Sequence, residues 1–292
     1  MGEKAQKEFK LYKIFVYVAL IALAVSIIVP VAWVCLASLK SHHELVSGNP
    51  FSMPAELLWV NFVAAFQKAK MGSYLLNTVF VTALSLIFLL VLALPASYVL
   101  ARFKFKGRGF FNLFFMAGLF VNVSYIVLPI YLMLFETELA LGIANMNILT
   151  NNKIVLALIY ASTALPFTIY LLRSYFATLP KAYEEAAYID GCGHFKTMLK
   201  IMIPMARPSI ITVILFQFLA FWNEYILAFT LLNKEDATLA VGLKYLMANQ
   251  RQAGDYGVMY AGLVIVMLPT LILYILVQKQ LTQGMSLGGL KD

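Results

Sequence analysis

Charge is scarce in this chain. Only 12% of its 292 residues are Asp, Glu, Lys or Arg, against about 25% in an ordinary soluble domain. Cysteine is scarcer still: Cys35 lies in an apolar segment and Cys192 in a polar loop, so no disulfide framework is implied. The three histidines, at 42, 43 and 194, are too scattered for a metal site, and His42-His43 reads as a solvated loop pair. No GxxxxGK[ST] phosphate loop occurs, which excludes ATP binding by that route. No Gly-rich dinucleotide fingerprint follows a strand, and no Ser/His/Asp or Cys/His arrangement is evident. The chain by itself does not read as an enzyme.

Apolar residues are abundant, at 62%. A soluble fold of this length could not hide so much apolar surface, so a bilayer must take the remainder. A helix needs about 20 apolar residues to cross a bilayer. Six segments qualify: roughly Ile14–Leu36, Ser73–Ala101, Phe110–Leu134, Ile154–Tyr175, Ser209–Leu232 and Val258–Val277. They are expected to be helices, because lipid offers no partner to a bare backbone amide. The N-terminal run MGEKAQKEFKLYK resembles a signal sequence. The apolar stretch behind it is too long, however, and lacks a small-residue cleavage site, so an uncleaved first span is expected. The fold class is an all-α membrane protein, read as one domain over 1–292.

The net charge of +8 is distributed unevenly. Lys4, Lys7, Lys10 and Lys13 precede the first span. Arg102, Lys104, Lys106 and Arg108 join the second and third. Arg173, Lys181, Lys196, Lys200 and Arg207 lie between the fourth and fifth, and Lys279 and Lys291 follow the sixth. The opposite side holds Lys40, Lys68, Lys70, Lys153, Lys234, Lys244 and Arg251. The richer side is expected to be cytoplasmic, with both termini inside. No basic stripe interleaved with aromatics is present, so nucleic acid is not a partner; membrane lipid is. Pro30, Pro95, Pro129, Pro166 and Pro269 fall inside spans, as packing kinks or as bends that shape a pathway. The loop 37–72 is long and carries the turn-rich stretch SGNPFSMP, while 135–153 and 233–257 are of moderate length.

The loop Leu179–Pro208 differs from the others. Pro180 suits a helix start, and Ala, Glu and Lys favour helix up to Asp190. Gly191 and Gly193 break it. Phe195, Met198, Leu199 and Met202 then form one apolar stripe at helical spacing, and Pro204 and Pro208 mark the entry to the fifth span. A short helix–turn–helix is expected, its stripe lying on lipid or bundle or awaiting a partner.

Glu185-Ala186-Ala187, three residues, Gly191, nine residues, Ile201, one residue and Ile203-Pro204 resemble the EAA motif of binding-protein-dependent ABC importer permeases, with Ile203 where Leu is usual. Asn77-Thr78, Pro95-Ala96-Ser97-Tyr98 and Ala101-Arg102-Phe103 look like the second span of carbohydrate permeases. Phe221-Trp222-Asn223-Glu224-Tyr225 is similar to their fifth-span signature, and the tail Gly284–Gly289 with Leu290-Lys291 resembles the end of the smaller maltose-type permease. The resemblance implies a type I importer permease fold in a prokaryotic inner membrane, and half of a solute path for a sugar or oligosaccharide. Glycerol-phosphate-type or polyanionic solutes are the alternatives. It implies a second, larger permease subunit, two ATPase subunits carrying ATP and Mg, and an extracytoplasmic solute-binding protein. It assigns Glu184, Glu185, Ala186, Ala187, Asp190, Gly191, Phe195, Met198 and Pro204 to coupling with the ATPase. A secondary transporter or a channel would need no such loop.

Polar groups inside spans usually face a bundle interior. Asn122, Ser124, Tyr125, Gln217, Asn223 and Glu224 are the candidates for a solute pathway, and neutral amides, hydroxyls and rings suit a sugar. Each has a plainer alternative. Ser124 and Thr163 are expected to bond back to their own helix, and Gln217 and Asn122 could be interhelix glue. Glu224 must be paired, hydrated or protonated, in a structural or gating role beside the path.

Overall fold

The computed structural model describes residues 2–49, 51–67, 70–143, 146, 148–253 and 255–289; Lys68, Leu290 and Lys291 lie outside them. Every regular element among the described residues is helical. Helices Tyr12–Ala37, Met71–Arg102, Val123–Ala140, Lys153–Thr178 and Tyr256–Gln278 are each long and apolar enough to cross a membrane. A sixth crossing arises if His194–Met205 and Arg207–Trp222, bent by 75°, count as one.

Two of the expected spans are broken. The stretch 110–134 divides into α5 (Arg108–Gly118) and α6 (Val123–Ala140), separated by an irregular turn. The stretch 209–232 divides into α11 (Arg207–Trp222) and α12 (Ile226–Leu231). Hydropathy averaged over a span is blind to the first break, where Leu119, Phe120 and Val121 are as apolar as the residues around them; at the second, Asn223 and Glu224 interrupt the apolar run without ending it. The loops also hold more helix than expected: α2 (His42–Val46), α3 (Val60–Gln67) and α13 (Leu239–Ala253). All five span prolines lie inside helices.

The chain forms two compact units. The first comprises 1–71 and 243–267, and the second 72–242 and 268–292. In the first unit, α1 (Gly2–Ala37) has no buried residue in its most apolar stretch, so it is built to face lipid or another chain. Past its end the chain is pinned by polar contacts. Asn61 Nδ2 donates to the carbonyls of Ser38 (2.9 Å) and Lys40 (3.0 Å). Ser41 and Glu44 form a capping box on α2, and Glu44 Oε1 also accepts from the Ala55 amide at 2.8 Å. These hydrogen bonds, led by that of Ala55, hold the Glu44 carboxyl below its usual range. In the later part of the same unit, Tyr260 of α14 (Tyr256–Gly289) meets Trp33 edge-on.

In the second unit, α7 (Lys153–Thr178) is central. It buries Leu156, Ala157, Tyr160, Ala161, Ala164, Thr168, Ile169, Leu172 and Phe176, a three-and-four spacing that puts one face into the core. It packs against α5, α11 and α12. Gly118, at the end of α5, allows the closest approach: a Cβ there would lie 2.7 Å from Pro166 Cγ. α4 (Met71–Arg102) contributes Val81, Leu89 and Ala93, all buried.

Candidate functional site

The segment after α7 is built by local rules. Leu179 takes an extended conformation, as a residue before proline prefers. Pro180 stands outside the next helix rather than beginning it: α8 runs Ala182–Ile189, with Lys181 at its N-cap. Glu184 and Glu185 occupy its first turn, where the helix dipole favours negative charge. Asp190 is the C-cap, and Gly191 adopts φ +74°, which side chains disfavour. The Gly191 amide bonds the Tyr188 carbonyl (3.0 Å) and the Cys192 amide bonds Ala187 (2.9 Å), closing the helix as a Schellman motif. The chain then enters α9 (His194–Thr197), a π-helical turn (Met198–Met202) and α10 (Ile203–Met205).

This geometry divides the expected coupling residues. Glu185, Ala186, Asp190, Gly191, Phe195 and Pro204 are exposed, whereas Ala187 and Met198 are buried. The expected single stripe is split. Met198 and Met202 turn inward, while Phe195 is 71% and Leu199 46% exposed. The π turn is the cause, since its extra residue changes the angular step between them. Phe195 and Leu199 thus present an unpartnered apolar surface at this end of the unit.

The Glu184 carboxylate is bonded within the chain. Oε1 accepts from Tyr98 Oη at 2.9 Å, and Oε2 meets Arg102 Nε at 2.8 Å and Nη2 at 2.7 Å. Arg102 Nη1 donates to the carbonyls of Leu179 (3.0 Å) and Phe176 (3.4 Å) at the end of α7. A cavity of about 420 Å³ opens beside this node, lined among others by Phe103, Glu185, Tyr188, Ile189, Cys192 and His194.

The candidate pathway residues separate as well. Asn122 caps α6, its Oδ1 accepting from the Ser124 amide at 2.9 Å. Asn122 and Ser124 are exposed and Tyr125 is 81% exposed. Asn223 is exposed and donates to the Leu219 carbonyl at 2.8 Å. Gln217 is buried and reaches Thr168 Oγ1 at 3.3 Å, so it joins α11 to α7. Thr163 bonds back to the Tyr160 carbonyl, as expected. Glu224 is paired: its carboxylate accepts from Tyr160 Oη and from the amides of Leu227 (2.7 Å) and Ala228 (3.0 Å). It therefore caps α12 from within the break.

Sequence reasoning named Tyr98 for resemblance, and Arg102 for resemblance and for the charge of its loop, and gave neither a partner. It also missed a polar cluster at the far end of the unit. Glu138 is fully buried and accepts from Leu149, Thr150 and the Thr150 hydroxyl. Lys153 pairs with Asp236 at 3.0 Å and donates to Asn77 at 3.1 Å. An acid at the edge of an apolar run was the available signal for Glu138.

The family described as "Binding-protein-dependent transport system inner membrane component" matches residues 93–286, which include the whole of this segment. The chain belongs to that family. It is a multi-pass membrane component of a binding-protein-dependent transport system. Among relatives of this permease, the diacetylchitobiose uptake system permease NgcG of Streptomyces coelicolor is 36% identical over 270 residues, covering 92% of this chain and 86% of NgcG. The probable ABC transporter permease YurM of Bacillus subtilis is 32% identical over 290 residues, covering 99% and 92%. The fold matches a chain of a bacterial ABC transporter involved in alginate import, with TM-score 0.78, 24% identity and coverage of 92% and 96%.

Proposed function

We propose that this permease forms half of the solute path of an ATP-driven importer for a carbohydrate, and that α8 docks on an ATPase subunit. The observation that carries the proposal is the exposure of Glu185 and Ala186 on α8, and of Phe195 and Leu199 beyond a reversal that favours Gly191. Small side chains permit close approach there, and Glu185 offers a carboxylate whose bonds strengthen on desolvation. ATP and Mg sit on two ATPase subunits, since this chain has no phosphate loop. A larger permease supplies the other half of the path, and a binding protein delivers solute from outside. The basic loops, α8 and both termini face the cytoplasm across a prokaryotic inner membrane.

The saccharide relative supports a carbohydrate as solute. The break between α5 and α6 supports the position of the path. Irregular backbone at membrane depth is tolerated only against protein or water. Asn122, Ser124 and Tyr125 are exposed at that break and can offer an amide, a hydroxyl and a ring to a sugar. Gln217 and Glu224 support the frame beside the path instead.

The test is solute-stimulated ATP hydrolysis by the complete complex in proteoliposomes, with a panel containing N-acetylated, neutral and anionic oligosaccharides and glycerol phosphates. Stimulation by one saccharide, abolished by Glu185→Ala, is the expected result. Stimulation by glycerol phosphates alone would overturn the carbohydrate assignment. Failure of the chain to bind any ATPase subunit would overturn the whole reading.

A further inference from the structure

The Arg102 node does more than neutralise a charge. Tyr98 and Arg102 stand four residues apart on one face of α4, and together they satisfy both oxygens of Glu184. The same guanidinium caps the last carbonyls of α7, so three helix ends meet in one side chain. The node is shielded: the Arg102 side chain is 6% and the Glu184 side chain 23% exposed. Tyr98 is buried and meets Phe176 and Phe103 edge-on. Only Leu179, Pro180 and Lys181 join α7 to α8 along the chain, and α8 itself is eight residues long. α8 also packs on the π-helical turn that follows it, and the node adds a side-chain tie to α4.

We infer that Arg102 and Tyr98 are positioning residues for energy transfer: they clamp α8 through Glu184 to the ends of α4 and α7, so that displacement of α8 is carried into the membrane helices. The inference rests on the proposed function. It assigns Glu184, the first of the two adjacent acids, to the frame, and leaves Glu185 as the acid available to a partner. A shielded Arg–carboxylate pair suits the role because the charge-assisted hydrogen bond from Nε to Oε2 is directional and its loss leaves an uncompensated charge. Lysine could reach the carboxylate but could not also span the α7 carbonyls.

The experiment uses the complete complex and two measurements. The first is solute transported per ATP hydrolysed. Arg102→Ala and Glu184→Ala complexes are expected to assemble with the normal complement of ATPase subunits and to move at least about fivefold less solute per ATP. Arg102→Lys is expected to recover part of that loss. Lys106→Ala, which removes a neighbouring exposed charge, is expected to match the unaltered protein. A ratio within about twofold of the unaltered protein in both alanine variants would overturn the clamp. So would a loss that tracks missing ATPase subunits. The second measurement is amide exchange with and without nucleotide. Residues 95–102 and 182–191 are expected to respond together in the unaltered complex, and only 182–191 in Arg102→Ala. Equal responses in both proteins would overturn the clamp. This arm needs no transported solute. If no carbohydrate stimulates an assembled complex, the substrate reading falls and the clamp is still decided.

Discussion

The two helix breaks differ in how they are held. Between α11 and α12 the chain turns among buried rings: Phe221 and Trp222 are buried, and Phe221 stacks on Tyr160 at 5.4 Å. A carboxylate inside the break satisfies the next helix. Between α5 and α6 the turn is open, with Phe120 88% and Tyr125 81% exposed, and an amide side chain caps the next helix. The first break is complete within this chain. The second bonds its own amides but leaves its rings uncovered within this chain. The sequence marks the first break with the polar pair Asn223-Glu224 and the second with Asn122 alone, and the larger difference lies in what each turn touches.

Removing the caps tests this contrast most directly. Glu224→Ala deprives the Tyr160 hydroxyl and two amides of their acceptor, and should lower stability by about 2–4 kcal/mol in thermal unfolding in detergent. Glu224→Gln, which retains an acceptor, should recover part of it. If Glu224→Ala is as stable as the unaltered chain, the first break is not self-contained. Gly118→Val places side-chain atoms against Pro166 where α5 approaches α7, and should cost about 1–3 kcal/mol by the same measurement. No loss would mean that the helix leading into the open break is free to shift. Asn122→Ala should cost only about 1 kcal/mol as a lost cap. Its effect on solute-stimulated ATP hydrolysis should exceed its effect on stability, because the open break faces the proposed path. Equal, minor effects on both would make Asn122 a cap and nothing more.

Glu44 supplies the aqueous reference for Glu224, and the smallest effect. Its carboxyl is held below its usual value of 4.5, so its capping contribution is present above that pH and is lost as pH falls through the lower folded value. Protection of the Ala55 amide from exchange, taken relative to its intrinsic rate at each pH, should therefore fall on acidification below that range. Unchanged protection would show that the charge of Glu44 does not hold this loop.

Much of this was legible in the sequence. The spans near 14–36, 73–101, 154–175 and 258–277 correspond to single helices, since a run of apolar residues has one solution in lipid. Gly191 was legible as a reversal, because a glycine behind a helix-forming run closes it in a known way. The breaks were not legible, although Asn122 stood where a cap would stand. The partners of Glu184 were equally hidden. Tyr98 and Arg102 lie 86 and 82 residues away, and no local pattern reports a contact across two spans. The stripe through Phe195 failed for a different reason: it assumed 3.6 residues per turn where the chain takes a wider turn.

That wider turn makes the length of the segment a specified quantity. Residues 198–202 hold one residue more than a regular helix would, just ahead of Pro204. A residue inserted there and taken up as regular helix would rotate everything before it by about 100° relative to everything after it. Composition and hydropathy would be almost untouched, yet Phe195 and Glu185 would point elsewhere. Among variants of this permease, an insertion within 198–202 should therefore be harder to tolerate than most substitutions there.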